Sequence, residues 1–345
     1  MSDRYNESMK LEEVRAAATP EALAMLDEAL VWDMTLPWTP DYVETDRILP
    51  RFAAAGVDLI SLTVMGPEKN LAETIAHFAR VGRAIEARSE TMVRCRSVAD
   101  IRAAKAAGKL GLIYNLQETK HFDDDLGMVG LFYELGVRHA LLAYNSRNRV
   151  GDGCSERNDS GLSNWGVAVV EEMNRVGMLV DGTHSGVATT MDAMDVATSP
   201  FIFSHCNAYG VVPHYRNIRD EQIVKCAATG GVIGVNGLGE FLDDPKASSQ
   251  SIFKHLDYMA QLVGARHLGL GLDFVLDVGG FWDWVEKFPH MWPESPPVQR
   301  RRGGFAQPEQ VLELIDLMLA AGWSDEDVRG VLGENFARVC EQVWR

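Results

Sequence analysis

The 345-residue chain predicts a (β/α)8 TIM-like barrel forming a single domain over residues 1–345. Short apolar, β-rich runs that end in polar residues alternate with longer segments of helical period. Such alternation implies parallel strands joined by right-handed crossovers. Eight runs of this kind suit a closed barrel better than an open sheet, and no GxGxxG follows the first, which weakens a dinucleotide-binding alternative. No linker rich in Gly, Pro or Ser and no internal repeat divides the chain.

The runs are ALVWDMT (29–35), VDLISLTV (57–64), GLIYNLQ (111–117), HALLAYN (139–145), GMLVDGTH (177–184), PFIFSHC (200–206), GVIGVNG (231–237) and LGLGLDF (268–274). TMVRCRS (91–97) reads as an additional or edge strand. Between them, residues 71–89 repeat apolar positions at three and four, the period of an amphipathic helix. Residues 98–108 and 165–177 end in Gly108 and Gly177, where a helix finishes in a left-handed residue. A final helix pair spans 308–322 and 324–344, the second opened by Ser324 and Asp327 in a capping-box pattern. Residues 275–304, with Trp282, Trp284, Trp292 and four prolines, read as a long loop or lid.

Composition narrows the function. A formal charge of −16 argues against nucleic acid as a partner, because phosphates would repel it. Apolar residues at 46% suit a well-buried globular protein, yet no long uncharged apolar run suggests a membrane span. The polar first fifteen residues lack the apolar core of a secretory signal, so a cytoplasmic location is expected. Cys95, Cys154, Cys206, Cys226 and Cys340 are scattered, as suits free thiols in a reducing compartment.

In a barrel of this type the chemistry sits where strands end. Those ends carry Asp33 and Thr35, Gln117 and Glu118, Tyr144 and Asn145, His184, His205 and Asp273. Two histidines on successive strand ends can approach one cation, and neutral imidazole suits zinc. Each alone reads equally well as a hydrogen-bonded structural residue. Asp273 reads as a ligand, a general base or a carboxylate behind a ligand, or as a plain cap. Arg216 can clamp a carboxylate or stabilise an oxyanion, against a simple surface ion pair. His121 with Asp123, Asp124 and Asp125 reads as an acidic helix start rather than a metal cluster. His77, His255 and His267 are placed outside the site.

The stretches YNSRNRVGDGC (144–154), DSGLSNWG (159–166) and EEMNRVGMLVDGTHS (171–185) resemble the membrane (renal) dipeptidase family. So do SHCNA (204–208), RNIRD (216–220), GGVIGV (230–235), GLDF (271–274) and GENFARV (333–339). The resemblance implies a barrel of the metallo-dependent hydrolase type, a small-molecule substrate such as a dipeptide, and an option of a homodimer. It also implies two zinc ions: one held by an H-x-D pair on the first strand, one by two later histidines, with a bridging glutamate. His184 and His205 match the later pair, Arg216 the substrate-contacting arginine, and Asp273 the aspartate of proton transfer. Other positions depart. Aligning on LPW puts Asp33 and Thr35 at the H-x-D places, and a shifted register puts Thr35 and Pro37 there. Gln117 stands at the bridging glutamate, and Tyr144 at a substrate-contacting histidine.

Without the bridging anion two dications would repel strongly. The expectation is therefore one zinc or similar divalent ion on His184 and His205, assisted by Gln117 or Asp33, with two ions or none as the alternatives. The leading functional reading is a metal-dependent hydrolase of amide bonds. In it Asp273 shuttles the proton, Arg216 binds carboxylate or oxyanion, and Tyr144 and Asn145 shape the pocket. A lyase or decarboxylase on the same barrel and a metal-free binding protein are the other two readings.

Overall fold

The computed structural model describes residues 9–37, 47–122, 125–293 and 303–345. Nine strands form, β1 (Trp32–Leu36), β2 (Leu59–Met65), β3 (Met92–Arg94), β4 (Leu110–Leu116), β5 (Val137–Leu141), β6 (Leu179–Asp181), β7 (Ile202–Phe203), β8 (Val232–Val235) and β9 (Leu268–Leu270). All pairings are parallel: β1 joins β2 and β9, β2 joins β4, and the ring runs on through β5, β6, β7 and β8 to β9. This is the closed eight-stranded barrel that the alternating runs predict. β3 is an extra strand on the first half of β4, pairing Met92 with Leu110 and Arg94 with Leu112.

Helices follow the strands for local reasons. Leu71–Glu86 starts with a capping box between Asn70 and Glu73, which satisfies two otherwise orphaned N–H groups. Asn164–Val176 starts on the Ser163 side chain and ends at Gly177 in the left-handed conformation. Their apolar faces pack on the outside of the barrel in one continuous cluster. Among the described residues no helix is long and apolar enough to cross a membrane.

Two expectations about elements change. The segment 275–304 is not a loop throughout: Val278–Lys287 is a helix capped by Asp277, and its Trp282 and Val285 bury against Leu238, Phe241 and Phe305. Residues 294–302 of that segment lie outside the described residues. The last expected helix is broken into Asp325–Arg329 and Asn335–Val343 by a π-helical turn, Gly330–Glu334. There Gly333 lies so close to the Leu30 carbonyl that a Cβ would sit 2.4 Å from it. The Ser324 side chain does accept the Asp327 N–H.

The barrel interior is layered. Side chains alternate faces along a strand, so β2 turns Leu59, Ser61 and Thr63 the same way, and β4 does so with Ile113 and Asn115, with Gln117 following just past its end. At the lower end Leu59, Ile113, Leu179, Ile202 and Val232 pack with Phe336 and Cys340 of the last helix. Higher up, buried Ser61, Thr63, Asn115, His139 and Asp181 replace the branched apolar side chains usual there. A polar floor thus lies beneath the rim where the strands end.

Candidate active site

His184 and His205 face each other at that rim, with their Nε2 atoms 3.2 Å apart. The His184 Nδ1 bonds Asn145 Oδ1 at 2.6 Å. A carboxamide oxygen only accepts, so Nδ1 carries the proton and Nε2 presents a lone pair. The His205 Nδ1 meets Ser204 Oγ at 2.7 Å and Thr35 Oγ1 at 3.0 Å. Thr35 donates its own hydroxyl proton to the Met34 carbonyl, so it accepts from His205, whose Nε2 is also left with a lone pair. Burial, then the Arg216 charge, holds both imidazoles well below their usual range, so both are neutral. In these tautomers the two Nε2 lone pairs face each other in an arrangement open to a cation.

The remaining rim residues surround this pair. Tyr144 stacks on the His184 ring at 4.1 Å, and burial keeps its phenol protonated. Asn145, His184 and Asp273 all adopt positive φ, 53°, 67° and 59°, a conformation costly for non-glycine residues and frequent at functional sites. Arg216 is buried, donates to the His205 carbonyl at 3.3 Å, and lies over the Phe241 ring at 5.1 Å. Among the described residues it forms no ion pair, so its charge is available to an anion. A cavity of about 420 Å³ opens here, lined among others by His184, Cys206, Tyr215 and Arg216.

Asp273 accepts a hydrogen bond from Asn236 at 2.9 Å. Burial pushes its carboxyl up to about 7, opposed by Asn236 and Arg216. Asp33 accepts the N–H groups of Thr35 and Leu272 on Oδ1, while Oδ2 is buried without a partner among the described residues. Burial raises it to about 7 as well, with Asp273 adding to the shift. The β1 pairing shifts register between Asp33 and Leu36.

The other candidates engage other partners. Gln117 donates its amide to Thr63 at 3.3 Å. Glu118 turns to Asn148 and Lys120. His121 packs on Phe132 and meets Thr74 at 2.9 Å. Asp123 and Asp124 lie outside the described residues. His255 accepts the Ala208 N–H and His267 meets the Gly231 carbonyl, both in structural roles. The sequence reading passed over Asp181, His139 and Asn236. Asn236 ends a strand run like the other rim residues, and His139 is a polar group inside an apolar run, so both carried a legible signal.

The His184–His205 pair fits a bound divalent ion. Two nitrogen ligands of a tetrahedral zinc stand about 3.3 Å apart, close to the 3.2 Å found. Around this pair Thr35 is committed to His205, whereas Gln117 engages Thr63 through its amide nitrogen. Among the described residues no group of three or more His, Cys, Asp or Glu side chains converges on one point.

Fold and rim together define a barrel of the metallo-dependent hydrolase class. The sequence profile of the membrane dipeptidase family, peptidase family M19, matches residues 39–293. The chain belongs to that family. It is 29% identical over 278 residues to the dipeptidase aclJ of Aspergillus oryzae, a match covering 79% of this chain and 61% of that protein. It is 28% identical over 281 residues to the dipeptidase tcpJ of Claviceps purpurea, covering 79% and 60%. The chain thus spans about three fifths of the curated relatives' length. Among solved structures, an amidohydrolase from Pseudomonas aeruginosa superposes with a TM-score of 0.82 at 30% identity, covering 94% of this chain and 99% of that one. The probable dipeptidase PvdM from the same organism gives 0.80 at 17% identity, covering 96% and 98%, which bears on fold alone.

Proposed function

We propose that the chain hydrolyses amide bonds in dipeptides or related small molecules, with one zinc or similar divalent ion on His184 and His205. The observation that carries this is the pair of neutral imidazoles whose lone pairs meet at 3.2 Å. Bound by His184 and His205, such an ion would supply a lowered water pKa and polarisation of the substrate carbonyl.

The chain's own residues supply the rest. Asn145 and Thr35 fix the tautomers that present both Nε2 atoms, as partners behind metal ligands commonly do. Arg216, without an ion-pair carboxylate among the described residues, binds the substrate carboxylate or the developing oxyanion. Asp273, poised at about 7, accepts a proton from the nucleophile and returns it to the leaving amine. Tyr144 shapes the pocket against Trp284 and Trp292, which exclude water. The buried, partnerless oxygen of Asp33 favours a second reading, in which Asp33 and Asp273 carry out proton transfer in a lyase or decarboxylase. The five free thiols suit a reducing cytoplasm.

The test is metal content and turnover of a panel of dipeptides and N-acyl amino acids, for the unaltered protein and His184→Ala. Hydrolysis that tracks bound metal and vanishes in His184→Ala is expected. Hydrolysis that persists after chelation sinks the metal mechanism, and a metal-loaded protein inert on the whole panel moves the assignment to the lyase reading.

A further inference from the structure

Beneath the two histidines a single carboxylate holds both of their strand ends. Asp181, fully buried, accepts the Thr183 N–H at 3.0 Å and the Ser204 N–H at 3.1 Å on the same oxygen. Thr183 directly precedes His184, and Ser204 directly precedes His205. The two turns are tied again by the Thr183 hydroxyl, which accepts the His205 N–H and meets the Ser204 hydroxyl, both at 3.3 Å. His184 needs such restraint, since its φ of 67° persists only where surroundings over-determine it.

The other oxygen of Asp181 meets His139 Nδ1 at 3.0 Å. His139 ends a run of hydrogen bonds that all point the same way. Gln117 donates to Thr63 at 3.3 Å, Thr63 to Asn115 at 3.0 Å, and Asn115 to Ser61 at 2.9 Å. Ser61 then donates to His139 Nε2 at 2.8 Å, which leaves the Nδ1–H for Asp181. Aligned donors of this kind favour an anion at their end. Although burial alone would raise it, the hydrogen bond from His139 helps bring the Asp181 carboxyl down to about 2. A fixed negative charge therefore sits one layer below the facing imidazoles. At the rim itself, where the resemblance places a bridging glutamate, Gln117 is neutral and serves as the first donor of the run.

The geometry points to Asp181, oriented by His139, as the positioning residue that sets the spacing of His184 and His205 and supplies the anionic charge behind the metal site. This rests on the metal reading above, but it assigns a task to residues that touch neither metal nor substrate. A plain buried ion pair would stabilise the fold and leave the affinity of the folded protein unchanged. A clip would alter affinity in protein that is still folded.

The experiment is zinc affinity by chelator competition, on folded Asp181→Asn, His139→Leu and His139→Asn, with fold checked by circular dichroism. Loss of such a supporting partner typically weakens metal binding by about 10–100-fold. That loss is expected for Asp181→Asn and His139→Leu, whereas His139→Asn, whose amide can still donate to Asp181, should recover most of it. Unaltered affinity in folded Asp181→Asn and His139→Leu overturns the inference and leaves the His184–His205 reading standing. Nitrogen NMR of metal-free protein separates the two ideas. If the parent protein takes up no zinc, yet His184 and His205 are locked as Nδ1–H tautomers and released in Asp181→Asn, the clip stands and the metal reading falls.

Discussion

The Tyr144 ring lies against the His184 imidazole, centroids 4.1 Å apart and planes 21° from parallel. Trp284 and Trp292 meet Tyr144 edge-on at 6.2 Å each, so the aromatic cluster presses the histidine into place. Tyr144→Ala should therefore cost about 3–5 kcal/mol, as truncation of buried aromatics does, and loosen metal retention. Tyr144→Phe keeps the ring and should stay within about 1 kcal/mol of the parent. Urea denaturation and metal content of the two variants check this. Equal losses in both would move the role from the ring to the hydroxyl.

In the metal-free protein Asp33 and Asp273 should each contribute stability that is lost as pH rises from about 4 to 7, while His184 and His205, held well below their usual range, act in the opposite sense. Asp33 and Asp273 each titrate near 7 in the folded state, chiefly through burial, against about 3.9 when unfolded. Between those values the native state binds more protons, so unfolding is favoured as pH climbs. Each shift of about 3 units corresponds to at most about 4 kcal/mol by the relation of 1.36 kcal/mol per unit. Asp181 acts in the opposite sense: held near 2, it contributes stability above about pH 4 that is lost as pH falls toward 2. Denaturation midpoints of chelated protein across this range, with Asp33→Asn and Asp273→Asn, provide the measurement. Both variants should make the slope of stability against pH more positive than in the parent between pH 4 and 7, and a slope unchanged in both would contradict the assignment.

Arg216→Ala should fold, because removing a guanidinium with no ion pair strands no carboxylate. If Arg216 holds the substrate carboxylate, KM should rise by about 10–100-fold, on the scale of a lost charge-assisted bond. The parent should then prefer a dipeptide over its C-terminal amide, and the variant should not. A fall in kcat with KM unchanged would instead assign Arg216 to the oxyanion. Arg216→Lys should restore little, since a point charge lacks the planar fork.

Much of this arrangement was legible from strand ends alone. Apolar runs that close on Tyr144–Asn145, His184, His205 and Asp273 locate the rim, because a parallel barrel brings all its strand ends to one mouth. What the runs hide is pairing between layers. Ser61 and Thr63, or Asn115 and Gln117, show as polar residues two apart within an apolar stretch. That spacing says they share a face but not which partner each will meet. The bond from Thr35 to His205 spans 170 positions and depends on closure of the ring. The π turn at Gly330–Glu334 and the positive φ at His184 arise from tertiary constraint, for which local propensity carries no signal. The Val278–Lys287 helix was obscured by the prolines and aromatics around it.

Gly271 and Gly82 should respond in opposite directions to the same substitution. A Cβ on Gly271 would stand 1.9 Å from the Ser204 carbonyl oxygen and 3.1 Å from His205 Cβ. Backbone on a closed barrel cannot give way by that much, so β9 and the His205 turn would have to separate. Gly271→Ala should cost more than about 3 kcal/mol, beyond ordinary overpacking, and any folded fraction should bind zinc more weakly because His205 is displaced. Gly82, inside the Leu71–Glu86 helix, meets nothing within 4 Å of its added Cβ. Gly82→Ala should stabilise by about 0.5–1 kcal/mol, the helix-propensity difference, with zinc affinity unaltered. Thermal and urea denaturation together with chelator competition test both. If Gly271→Ala were as stable and as tight for zinc as the parent, the close approach of β9 to the His205 turn would not be a constraint on the site.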